Sequence, residues 1–92
     1  MSSPLENIRA EIDLVDAELV VLLARRYLAV EKIAAAKAMN GMPVVDPERI
    51  EVVQDRVAVL AERAGMDPGI ARRLWKVIIA EAVALEDERI GT

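Results

Sequence analysis

Apolar residues recur along the first third of the chain at Leu5, Ile8, Ile12, Val15, Leu19, Leu22, Ala29 and Ile33, in steps of three and four broken once, at Arg26. That spacing marks one face of an α-helix, because an alternating strand would repeat every second residue. The pattern returns at Ile50, Val53, Val57, Leu60 and Ala64, and again at Ala71, Leu74, Ile78 and Leu85 beside a second row, Trp75, Ile79 and Val83. Breaks fall where Pro and Gly fall: Pro4, then Asn40-Gly41-Met42-Pro43, then Gly65 with Asp67-Pro68, then Gly91. Asp46-Pro47 and Asp67-Pro68 each read as an N-cap followed by proline at the first helical position, and Gly65 suits the left-handed residue after a helix end. The pattern predicts an all-α fold of three helices over 5–39, 47–64 and 68–89.

The first of these helices would be about 50 Å long at 1.5 Å per residue. That is too long for a compact monomer of 92 residues. Its stripe keeps close to the 3.5-residue period of a helical seam, so a second copy lying along it would cover it. The length allows one domain, 1–92. A domain this small usually needs a disulfide, a metal or a partner subunit for stability. With no Cys and no His, the first two are removed and a homo-oligomer is expected.

Composition narrows the chemistry as well. There is no His for a proton relay, no Cys for a thiolate and no ordinary zinc site, and the hydroxyls are limited to Ser2, Ser3, Tyr27 and Thr92. Covalent catalysis is therefore not expected, nor any metal or cofactor. A net charge of −4 with one Trp and one Tyr argues against nucleic-acid binding. Charged residues make up 30% of the chain and are interspersed, which leaves no membrane span. The start, Met1 to Asn7, has neither a basic nor an apolar export segment, so a cytoplasmic location is expected.

Arg26 occupies a stripe position where a seam calls for Leu or Ile, and a buried unpaired guanidinium costs several kcal/mol. Lys37 lies eleven residues on, turned by about 20° and about 16 Å further along the same face. Two cations on an apolar face fit an anionic guest; the alternatives are that they snorkel to solvent or pair with Glu on a neighbouring helix. Glu86 continues the row of Ile79, Val83 and Ile90, so its carboxyl points inward, either as a neutral acid able to donate or as the partner of Arg26 or Lys37. Arg9, 17 residues before Arg26, is about 25 Å away and turned by about 100°, so it joins that site only from another subunit; otherwise it is a solvated charge among Glu6, Glu11 and Asp13. Asp46 and Arg49 open the second helix as a cap and a surface residue at the edge of its stripe.

Taken in order, Ile8-Arg9 with Ile12 and Asp16, Leu22 to Arg26 through Ala29-Val30, Ala36-Lys37, Pro43-Val44 with Asp46 and Arg49, and Leu74 through Ile78-Ile79 to Glu86 resemble the all-helical chorismate mutase family in a small single-domain form. The resemblance implies an intertwined homodimer whose first helices run antiparallel across both subunits, each site taking one arginine from the partner, a role falling on Arg9. It implies a small dicarboxylate substrate and the Claisen-type rearrangement of chorismate to prephenate, in the service of aromatic amino acid synthesis. Such a step needs no nucleophile, metal or cofactor. In that scheme Arg26 and Arg9 clamp the two carboxylates, while Lys37 and protonated Glu86 donate to the ether oxygen. Asp46 and Arg49 border the ring hydroxyl, and Ile33, Ile79 and Val83 form apolar walls.

Two residues depart from the commonest form of the family. Glu86 stands where many bacterial relatives have Gln, and Ile50 stands where several place a Glu that helps hold the ring hydroxyl. The substituent at ring C4 is therefore left open. Related branches rearrange 4-amino-4-deoxychorismate or eliminate pyruvate from isochorismate, and the stretches Pro47 to Ile50 and Leu85 to Glu88 are similar to those branches. A different class also stays open, a non-catalytic helical dimer that binds a metabolite or a partner helix. No dehydrogenase, dehydratase or regulatory segment is recognised after the third helix.

Overall fold

Each helix begins on a local device that the sequence encodes, and α1 and α2 also end on one. The computed structural model describes residues 3–90, which form α1 (Pro4–Met39), α2 (Pro47–Arg63) and α3 (Pro68–Ile90), with no strand among them. The helix limits lie within one residue of those predicted from periodicity. Gly91, expected to close the third helix, and the hydroxyls of Ser2 and Thr92 lie outside the described residues.

Ser3 caps α1: its side chain accepts from the Glu6 N–H at 3.1 Å, and its own N–H donates to Glu6 Oε2 at 3.4 Å, with Pro4 following at the first helical position. The pattern of apolar residues did not reveal this box. At the other end Gly41 takes a φ of +62°, and the Met42 N–H folds back to the Lys37 carbonyl at 2.9 Å. Gly65, at φ +81°, ends α2 in the same way, with Met66 N–H on the Ala61 carbonyl at 2.8 Å. Both are left-handed closures that a Cβ would strain. Asp46 accepts from the Arg49 N–H at 3.1 Å and Asp67 from the Gly69 N–H at 2.7 Å, so both expected caps are formed.

Helix α3 packs against both α1 and α2, which do not pack on each other. The buried apolar residues are Ala34, Val57, Ala58, Ala61, Ala71 and Ala82. Five of these are alanines, so the helices approach closely on small side chains, while Leu60 and Leu74 of the predicted stripes stay about half exposed. Gln54 Nε2 donating to the Arg72 carbonyl at 3.1 Å and the Arg72–Asp55 ion pair at 3.0 Å fasten α2 to α3 at the rim.

Half of α1 has no neighbour in the chain. Residues 4–22 are all exposed, and Ile8, Ile12, Val15 and Leu19 each show about half of their surface to solvent. The molecule measures 59 × 26 × 15 Å with a radius of gyration of 16.7 Å, against roughly 12 Å for a compact domain of this length. No helix among the described residues is long and apolar enough to cross a membrane.

Candidate active site

The stripe cations of α1, the start of α2 and the inner face of α3 enclose one cavity of about 540 Å³. Its α1 wall carries Arg26, Ile33 and Lys37, its α2 wall Asp46 and Arg49, and its α3 wall Ile79, Val83 and Glu86. Eight of the nine residues singled out in the sequence thus meet in one place. Arg9 does not; it stands exposed on the free half of α1 and takes no part in this cavity within one chain.

Glu86 is the one buried charged residue among those described, at 6% exposure. It is buried because it extends the apolar row of α3, one turn past Ala82 and Val83. Its Oε1 lies 2.8 Å from Lys37 Nζ, so of the readings left open by the sequence, the ion pair with Lys37 is the one present. The approach is close but off-axis, and Oε1 has no aligned hydrogen bond among the described residues. A buried acceptor in that condition costs free energy that a suitably placed guest can recover.

Lys37 is held from a second side. Its ammonium donates to the Val44 carbonyl at 2.7 Å, across the loop that the Gly41 closure turns back over the end of α1. An ammonium has three N–H groups; Val44 takes one and Glu86 faces another, which leaves one for a ligand. Arg26 is half-buried and lines the cavity with no ion-pair partner among the described residues, and the Arg49 side chain is likewise without one. Three cations therefore border a cavity that contains two acids, with apolar walls that raise the strength of each charge interaction. The arrangement can bind a small polyanion with apolar parts.

Sequence reasoning gave no site role to five of the residues that line the cavity, Ala29, Val30, Val44, Val53 and Ala82. The Val44 carbonyl is a backbone group, so no side-chain pattern could have announced it. Val53 lies on the stripe of α2 and Ala82 lies four residues before Glu86, on the same face. Both were within reach of the i, i+4 rule. Ile50 lines the α2 side and brings no polar atom there.

With this geometry in view, comparison with known proteins gives the assignment. Residues 8–87 match the family model for chorismate mutase type II. The chain belongs to the chorismate mutase type II family. It is 36% identical over 83 residues to the 4-amino-4-deoxychorismate mutase of Streptomyces venezuelae, covering 90% of this chain and 81% of that one. A 4-amino-4-deoxychorismate mutase of Streptomyces pristinaespiralis is 34% identical over 91 residues, 99% of this chain and 70% of its own. The chorismate mutase of Methanocaldococcus jannaschii is 30% identical over 88 residues, 96% and 89% of the two chains. Every cavity residue described above falls inside the matched span, as does Arg9.

Proposed function

We propose that this member of the chorismate mutase type II family rearranges chorismate to prephenate. The observation that carries the reading is the cavity itself, in which Arg26, Lys37 and Arg49 face an otherwise apolar enclosure against buried Glu86. The rearrangement is unimolecular: the ether C–O bond breaks as a C–C bond forms, with no group transferred to the protein. What a protein supplies is restraint of the enol-pyruvyl arm over the ring and charge aimed at the ether oxygen. Arg26 holds one carboxylate. The free N–H of Lys37 and a protonated Glu86 donate to the ether oxygen, so that both interactions strengthen as negative charge develops there.

The second carboxylate takes Arg9 of the partner subunit, in a homodimer whose α1 helices run antiparallel. The exposed stripe from Leu5 to Leu22 and the extended shape support this arrangement, since a surface that apolar calls for a cover. The pocket of one chain then opens beside the free half of the other chain's α1.

Incubation of the pure protein with chorismate tests the reading directly. Loss of the ring-diene absorbance without release of pyruvate is expected; persistence of chorismate overturns it. A second reading, rearrangement of 4-amino-4-deoxychorismate, is favoured by Ile50, which leaves Asp46 as the acid on the α2 side of the cavity, and by the substrate named for the two Streptomyces relatives. Comparing kcat/KM for the two substrates decides between them, and pyruvate release from isochorismate would point to lyase chemistry instead.

A further inference from the structure

Outside the cavity, α1 and α3 are joined a second time. Arg89 Nη2 donates to Glu31 Oε1 at 2.9 Å, across a separation of 58 residues in the chain. On α1, Glu31 is six residues before Lys37, a rotation of about 120° away from it; on α3, Arg89 is three residues after Glu86, about 60° away. The two bridges thus lie on opposite sides of the α1–α3 contact. Lys37–Glu86 faces the cavity, whereas Glu31 borders a shallower outer groove of about 370 Å³ with Tyr27 and Leu85. Their polarity is also reversed, the cation sitting on α1 in the first and on α3 in the second.

We infer that the Glu31–Arg89 pair is a positioning device for the active site, fixing the rotation of the last turn of α3 so that Glu86 faces Lys37 and the substrate. This rests on the function proposed above. Two bridges that flank the α1–α3 contact on its two sides oppose rotation of the last turn in both directions, which one bridge does not. A rotation of 20° carries a side-chain tip about 2 Å at the 5 to 6 Å radius of a helix, and misplacement by about 1 Å is enough to slow catalysis strongly. Few apolar side chains of the last turn reach the interior. Asp87, Glu88 and Arg89 are exposed, and half-buried Ile90 is the apolar residue of residues 87–90. The Arg89 guanidinium is held above its usual range by its hydrogen bond to Glu31 and by that carboxylate's charge, as a formed pair requires. Because the pair is about half exposed, it contributes little to overall stability. Its effect is on the placement of Glu86, and neither Glu31 nor Arg89 touches the substrate.

The test is a charge-exchange cycle read on rate and on melting temperature together. Arg89→Gln and Glu31→Gln should each lower kcat about three- to fivefold, with KM nearly constant and little change in Tm, while the exchanged pair Glu31→Arg with Arg89→Glu recovers most of the rate. Salt near 1 M should slow the wild type toward the rate of Arg89→Gln and leave that variant nearly unaffected, since an exposed pair is screened and an absent one is not. An unchanged kcat in the single variants, a loss that merely follows Tm, or no recovery in the exchanged pair overturns the inference. An inactive wild type on chorismate and on its 4-amino analogue overturns the proposed function itself, so the two failures are told apart.

Discussion

Lys37 Nζ lies 2.8 Å from Glu86 Oε1 and 2.7 Å from the Val44 carbonyl, so one ammonium joins the end of α1, the following loop and the last turns of α3. This places a cation and an acid side by side at the wall of the cavity, each held by the other. A substrate that needs both as donors uses Glu86 in its acid form, and a neutral amide at this position tests that need.

A carboxyl group donates only while protonated, whereas an amide always carries donors. Glu86→Gln therefore keeps a donor in place. Its kcat/KM should equal or exceed that of the wild type, and Glu86→Leu, which keeps the bulk and has no donor, should lose about 10²-fold or more. Steady-state rates of the two variants check this, and a Glu86→Leu variant with wild-type kcat/KM removes Glu86 from the donor role.

Arg26 offers a separation of function from stability. It breaks the apolar stripe of α1 and has no ion-pair partner among the described residues, so Arg26→Ala should leave Tm unchanged or raise it. Turnover should drop by about 10²- to 10³-fold, the usual cost of removing one group that holds developing or substrate charge. A non-catalytic binding module would show the first effect and have no second to show.

If Arg9 serves the partner subunit's site, two inactive variants should rescue each other. Arg9→Ala and Arg26→Ala, unfolded together and refolded as a mixture, form half of their dimers with one chain of each kind. Each mixed dimer has one intact site and one lacking both arginines, so about a quarter of wild-type activity should return. Activity no higher than the sum of the two separate variants would place Arg9 elsewhere.

The exposed stripe makes its own prediction. Sedimentation should give about twice the chain mass of 10.1 kDa, and Leu19→Glu, in the middle of the stripe, should reduce that to one chain with loss of helical signal. A wild-type protein of single-chain mass would remove the dimer and the shared site with it.

How far the sequence carries the structure differs from feature to feature. The three helices and their limits were legible because Pro, Gly and Asp stand where each helix starts or stops, and because large apolar residues keep a helical period between those points. The convergence of Arg26, Lys37, Asp46, Arg49 and Glu86 came from spacing together with family resemblance, and the cavity holds all five. The buried residues were less legible. The stripes included Val57 and Ala71, which are buried, but also pointed to Leu60 and Leu74, which are not; the helices meet mostly on alanines, whose small size signals close approach only when the neighbouring helix is known. The choice between Arg26 and Lys37 as partner of Glu86 depends on the axial offset of α3 against α1, which no periodicity encodes. The Val44 carbonyl and the Ser3–Glu6 box belong to backbone geometry around loops and ends, where apolar patterning carries no information.

The unaccompanied half of α1 has a consequence for how this protein ripens and wears. A helix of that length with bare apolar flanks gains too little from its own hydrogen bonds to persist alone in water. In the proposed dimer its ordering is a second-order event, governed by mass action between chains as much as by the chain's own folding. The melting midpoint should climb with protein concentration, and at high dilution turnover per chain should decay as assemblies come apart.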